Sequence, residues 1–277
     1  MRTFVLTAGF LVFVLADVGA HANARSAFET DQLPVIEIVD PPADTGIRVE
    51  VAEKYKARFA KWQAELVSTD FGRAQWDRYA TNRHFLLVIK VDPDHGMGAG
   101  TDKFTWDTNG NFIGATITIG SEIETGFPEP TYYPVLNALA PDTRGPAIRS
   151  SVVAAAKISH EIGHVEQTEK ANMKLMQLQS KLIPQYMSIF LKNGFDENDK
   201  RLLDLEQQIG GTPTSIWEER EYTSEIDTIR YVSQRISIDD GLCRVLKRVR
   251  QNLDNYAGEH GRAFEQTPEL SEPRCSI

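Results

Sequence analysis

The chain has 277 residues, 41% of them hydrophobic and 25% charged, a balance that excludes a disordered or fibrous protein. Its length suits one large domain or two small ones. A formal net charge of -9 argues against wholesale nucleic-acid binding and favours solubility.

At the start, Arg2 precedes an apolar run over residues 4 to 15, and Ala22-Asn23-Ala24 forms an A-x-A pattern. The run is too short to span a bilayer as a helix. Residues 1 to 24 therefore read as a secretory signal peptide, with an uncleaved anchor as the alternative that Asp17 and Gly19 count against. The expected location is exported, periplasmic or secreted, without stable membrane insertion once the leader is removed.

Residues 25 to 46 contain Pro and Asp, lack a period and read as an extended leader. From 47 to 69 the spacing predicts a helix, with Val51, Tyr55, Phe59, Trp62 and Leu66 on one face. HFLLVIKV, 84 to 91, is a continuous apolar run, as in a buried strand. The glycines at 96, 98 and 100 do not have phosphate-loop spacing and mark a loop. Asn109-Gly110 predicts a hairpin turn within 103 to 121, where 115 to 119 alternates like a half-buried strand. From Pro146, placed for a first helical turn, the chain reads as helical, with further helices near 169–192, 198–209, 215–237 and 239–257. The basic stretch LCRVLKRVRQNL fits an amphipathic packing helix. Cys243 and Cys275 are either one bridge or two free thiols, and two cysteines cannot make a four-cysteine zinc site. The class is α+β, a helix and small sheet followed by a helical lobe.

Within the helix after Pro146 lies SHEIGHVEQ, 159 to 167. Residues i and i+4 share a helix face, so His160 and His164 project side by side, as two imidazole ligands of one tetrahedral zinc require. Glu161 is rotated by about 100° from His160, where it can serve as a general base without being a ligand. The flanking VVAAAKIS is small and apolar, as a buried active-site helix requires.

His160-Glu161-Ile162-Gly163-His164 resembles the H-E-x-x-H motif of zincin metallopeptidases. Metzincins continue to a glycine and a third histidine, but those positions hold Gln167 and Lys170. Gluzincins take a glutamate from a later helix, and the stretch 215 to 236 offers Glu218, Glu219, Glu221 and Glu225. Ser215 and Glu218 have capping-box form, which gives Glu218 a task at the helix start. Tyr222, Ile226, Ile229 and Ile236 mark its expected buried face, flanked by Glu221 and Glu225. Glu221-Tyr222-Thr223-Ser224-Glu225 resembles the E-x-x-A-D stretch of several gluzincins. That resemblance implies Glu221 as third zinc ligand and Glu225 as the acid orienting a histidine ligand. Here Glu replaces the usual Asp and Ser224 the usual Ala, and Asp227 stands in reserve.

The implied protein is an exported metallopeptidase with one catalytic Zn2+, acting on a peptide or protein substrate. Residues 25–277 would form one zincin-like domain, 25–145 giving a small, mostly antiparallel sheet and 146–277 the helical part with the zinc site. Inactive zincin-like binding proteins, and helical interaction proteins with a chance motif, stand as alternatives. The strand at 115 to 119 would border the cleft and pair with extended substrate, or simply belong to the core. Tyr222, Tyr231, His95 and His260 are eligible to stabilise an oxyanion, while His84 reads as structural. No cysteine lies between 25 and 80, so a thiol latch on the zinc is excluded.

Overall fold

The computed structural model describes residues 35–127, 133–141, 148–193, 196–260, 268–271 and 274–275; the leader at 1 to 24 and Pro146 lie outside them. Five strands, β1 (Val35–Ile38), β2 (Gly46–Glu50), β3 (Leu86–Asp92), β4 (Ala99–Trp106) and β5 (Phe112–Gly120), form one sheet in the order β1-β4-β5-β3-β2. The expected mostly antiparallel sheet is not what forms. Only β4 and β5 pair antiparallel; β1–β4, β2–β3 and β3–β5 are parallel. The hairpin signal is local and correctly makes one antiparallel pair. The other pairings are made by distant segments, whose direction leaves no short-range trace.

The expected helix at 47 to 69 also starts too early. Ile47-Arg48-Val49-Glu50 alternates with β-branched residues and becomes β2, in register with β3. Helix α1 (Glu53–Leu66) begins after it and buries Phe59, Trp62 and Leu66. Helix α2 (Asp70–Ala80) was not anticipated, although Thr69 caps it by accepting from the Gly72 amide at 2.9 Å. Together α1 and α2 carry the chain from β2 to its parallel neighbour β3, as a parallel crossover requires. Leu87 and Ile89 of β3 are fully buried, as the unbroken apolar run implies. Asp107 accepts from the Asn109 and Asn111 amides and shapes the β4–β5 turn, where Gly110 takes φ +86°.

After the short α3 (Pro134–Ala138), α4 (Ser150–Glu169) crosses the interior with residues 152 to 165 all buried. It packs on β4, β5, α1 and α7 (Pro213–Arg235). Between them, α5 (Met173–Lys192) and α6 (Lys200–Ile209) form a helical pair with its own core of Leu182, Ile183, Tyr186, Leu202, Leu205 and Ile209. Helix α8 (Leu242–His260) buries Leu242, Val245, Leu246 and Val249, the packing role expected for its amphipathic sequence. Cys243 at its start is bridged to Cys275. Closing a loop with a sequence separation of 32 stabilises the fold by about 3–4 kcal/mol in the chain-entropy picture. Among the described residues no helix is long and apolar enough to cross a membrane.

Candidate metal centre

The site is built where α4 and α7 run side by side. Gln167 donates to the Arg220 carbonyl and to Ser224 Oγ, both at 2.8 Å, while Thr228 reaches His160 Nδ1 at 3.3 Å. Rising numbers on one helix meet falling numbers on the other, so the helices are antiparallel. Gly163 lets them approach closely. A Cβ there would lie 3.2 Å from Ser224 Cα, Ser224 Oγ and Asp227 Oδ2. Gly163 thus packs directly against Ser224 across the helix pair.

That approach brings Glu221 between the two histidines. Its Oε2 is 3.0 Å from His160 Nε2 and its Oε1 3.4 Å from His164 Nε2. All three side chains are buried, with one ligand atom of each within 4.8 Å of the others. They form the one such group of histidines, cysteines and carboxylates among the described residues, and it could hold a metal ion.

Glu225 is fully buried and faces two ways. Its Oε1 lies 3.0 Å from His160 Nδ1. Its Oε2 accepts from the Val135 and Leu136 amides at the start of α3, at 2.5 and 3.2 Å. Thr228 Oγ donates to the Ser224 carbonyl, so toward His160 Nδ1 it is an acceptor. Two acceptors facing Nδ1 favour a proton there, so a neutral His160 would present an unprotonated Nε2. Nδ1 of His164 has no hydrogen-bond partner among the described residues.

Burial alone would make His160 easier to deprotonate. Hydrogen bonds to Glu221 and Glu225 outweigh it and hold the imidazole pKa well above its usual value. Burial likewise opposes ionisation of Glu221, but the charge of His164 and hydrogen bonds from both histidines hold it below the ordinary carboxylate range. His160, His164, Glu221 and Glu225 thus form one tight buried network.

Glu161 turns away from this trio toward β4, where its Oε2 accepts from Thr101 Oγ at 2.9 Å. Lys157, one turn earlier, donates to the Met97 and Gly126 carbonyls at 3.2 and 2.7 Å. With no counter-charge, burial lowers its pKa to about 8. It joins the loop before β4 to the loop after β5.

The strand expected to border the cleft, 115 to 119 in β5, has β3 on one side and β4 on the other and cannot accept a further strand. The strand beside Glu161 is β4. Its outer edge pairs with β1 only over 103 to 106, so residues 99 to 102, including Thr101, have no strand partner there among the described residues.

Other expectations are also revised. Helix α7 starts at Pro213 and is capped by Thr212, whose side chain accepts from the Ser215 amide at 3.1 Å. Ser215 is therefore not the cap, and Glu218 is buried inside the helix. The buried stripe of α7 carries Glu221, Glu225 and Thr228 within it, whereas Ile226 is only partly buried. Asp227 binds Arg230 at 2.9 Å and lines a cavity of about 330 Å³ with Glu166 and Tyr222, a cavity that includes none of the metal trio. Tyr231 is fully buried in the core. His84 and His95 do not join the trio, and the side chain of His260 lies outside the described residues. Thr101, Tyr133 (its ring 5.7 Å from that of His160), Thr228 and Arg220 were not foreseen. Only Thr228 carried a signal, lying seven residues from Glu221 on the same helical stripe.

Compared with family models, with curated proteins and with solved structures, the chain matches none of them.

Proposed function

We propose that the chain is an exported zinc-dependent metallopeptidase of gluzincin type. The observation that carries this reading is the buried His160–His164–Glu221 trio with Glu161 on the next position of the same helix. The donor set fits zinc. Two imidazoles and one carboxylate are donors of the type zinc takes, and one ligand atom of each lies within 4.8 Å of the others. When bound, zinc would polarise a peptide carbonyl and make a water more acidic.

The chain's own residues do the rest. Glu161 takes the proton of the attacking water and returns it to the leaving amine. Thr101 fixes the resting orientation of that carboxylate. Glu225 and Thr228 keep the proton of His160 on Nδ1. An extended peptide added to β4 at 99 to 102 would run past Glu161, held by main-chain hydrogen bonds.

Glu161→Gln tests the reading. It keeps the shape and both histidines but removes the base. Zinc content should be unchanged while peptide cleavage falls by about 10²–10⁴-fold. A wild-type protein that holds zinc yet cleaves no member of a mixed peptide library would be a binding protein instead.

Zinc uptake should also release protons. The metal needs a neutral imidazole, whereas, against the effect of burial, hydrogen bonds to Glu221 and Glu225 hold the His160 pKa well above its usual value. The sign follows from the raised pKa. The contribution of protonated His160 to ion-free stability is full below the ordinary histidine pKa and is lost as pH rises through the raised one. Zinc affinity should therefore climb with pH over that window, with proton release as the ion binds. Calorimetry in buffers of different ionisation enthalpy measures this, and an affinity independent of pH would contradict it.

A further inference from the structure

Arg220 immediately precedes Glu221 on α7. Its guanidinium lies over the ring of Phe104 on β4, 5.4 Å from the centroid. Its one side-chain hydrogen bond among the described residues is a long one, 3.5 Å from Nη2 to Thr168 Oγ. The other arginines of α7 each face carboxylates: Arg230 meets Asp227 and Glu269, and Arg235 meets Glu65. Arg220 forms no ion pair among the described residues, although Glu221 and Glu161 both lie within its electrostatic reach.

A guanidinium has five N–H donors in one plane. Phe104 flanks the group and Thr168 takes one Nη2 hydrogen, which leaves further donors of the fork for a partner. The side chain is largely buried but not sealed from solvent. The planar partner that matches this fork is a carboxylate held by two parallel hydrogen bonds. Phe104 lies on the same strand as Thr101, the partner of Glu161, so the guanidinium sits beside the strand along which a peptide would lie.

We propose that Arg220 recognises a carboxylate carried by the substrate, either the free C-terminus of a short peptide or an acidic side chain. This deepens, and rests on, the reading of the site as a peptidase centre. It makes Arg220 a specificity-determining residue.

The test uses full-length mature protein carrying Glu161→Gln to stop turnover, with and without Arg220→Gln, and with and without zinc. Three probes are titrated by calorimetry: N-acetyl trialanine with a free C-terminus, its C-terminal amide, and amidated N-acetyl-Ala-Glu-Ala. One of the two carboxylate probes should bind about tenfold or more tighter than the neutral amide, and Arg220→Gln should remove that gap. A gap for the free acid identifies the C-terminus as the source; a gap for the glutamate peptide identifies the side chain. Equal binding of all three, no binding, or a gap that survives Arg220→Gln overturns the proposal. Zinc content of the same samples separates the two ideas. Zinc taken up without a gap defeats Arg220 alone, and an Arg220-dependent gap without zinc uptake defeats the metallopeptidase reading alone.

Discussion

Replacing Glu221 with alanine is expected to abolish stoichiometric zinc binding. The carboxylate lies between both Nε2 atoms and is the one acid among the described residues grouped with both histidines. Catalytic zinc keeps three protein ligands, and two histidines one helical turn apart leave the third to another element. Losing a ligand should cost more affinity than the roughly 10–100-fold that follows loss of an outer partner. The variant should still fold. Removing one member of a buried ion pair is severe when the other charge stays buried, about 3–5 kcal/mol. His160 avoids most of that cost because it can lose its proton, and Glu225 remains beside Nδ1. Metal analysis of purified wild type and variant, with thermal unfolding as a control for folding, decides the matter. One zinc per chain in both would move the third ligand elsewhere. Glu225 would be the next candidate, but to serve it would have to release both α3 amides and Nδ1 of His160. No zinc in either, even after supplying it, would end the metallopeptidase reading.

How much of this was legible in the sequence follows from the range of each interaction. His160 and His164 share a face by helix geometry alone, and Glu221 and Glu225 repeat the same four-residue step on α7. Those pairs need no tertiary knowledge. The hairpin at Asn109-Gly110, the buried run of β3 and the helices after 169 were legible for the same reason. The sheet's strand directions were not, because β1, β2 and β3 pair with partners distant in sequence. Of the expected buried face of α7, Tyr222, Ile229 and Ile236 are buried, and Ile226 was misplaced for a chemical reason. A hydrophobic count ranks Ile226 above Glu225, yet Glu225 is fully buried because α3 amides and His160 satisfy it. Departures from the hydrophobic pattern of this kind concentrate at functional sites. Thr101 and Arg220 gain meaning only from β4, which no local period connects to α4 or α7.

Glu225→Gln is expected to separate folding from metal binding, and the reason lies in its two contacts. A carboxylate accepts at both oxygens, so it serves the α3 amides with one and the proton on His160 Nδ1 with the other. Glutamine has one accepting oxygen. Turned toward Val135 and Leu136, it still caps α3 but sets its amide N–H against Nδ1. That favours the tautomer with the proton on Nε2, the atom facing Glu221 and needed by the metal. Thr228 at 3.3 Å is then the only acceptor left for a proton on Nδ1 among the described residues. Zinc affinity should fall about 10–100-fold, while the ion-free fold loses only about 1 kcal/mol. Glu225→Ala should lose both. Two buried amides are orphaned beside a cavity, which together cost about 3–5 kcal/mol in stability. Glu225→Asp is shorter by one methylene and should keep one contact at the expense of the other. Zinc titration and denaturant unfolding of the three variants give the comparison. If Glu225→Gln binds zinc as tightly as wild type, the residue is a helix cap and nothing more, and the orientation of His160 must come from Thr228.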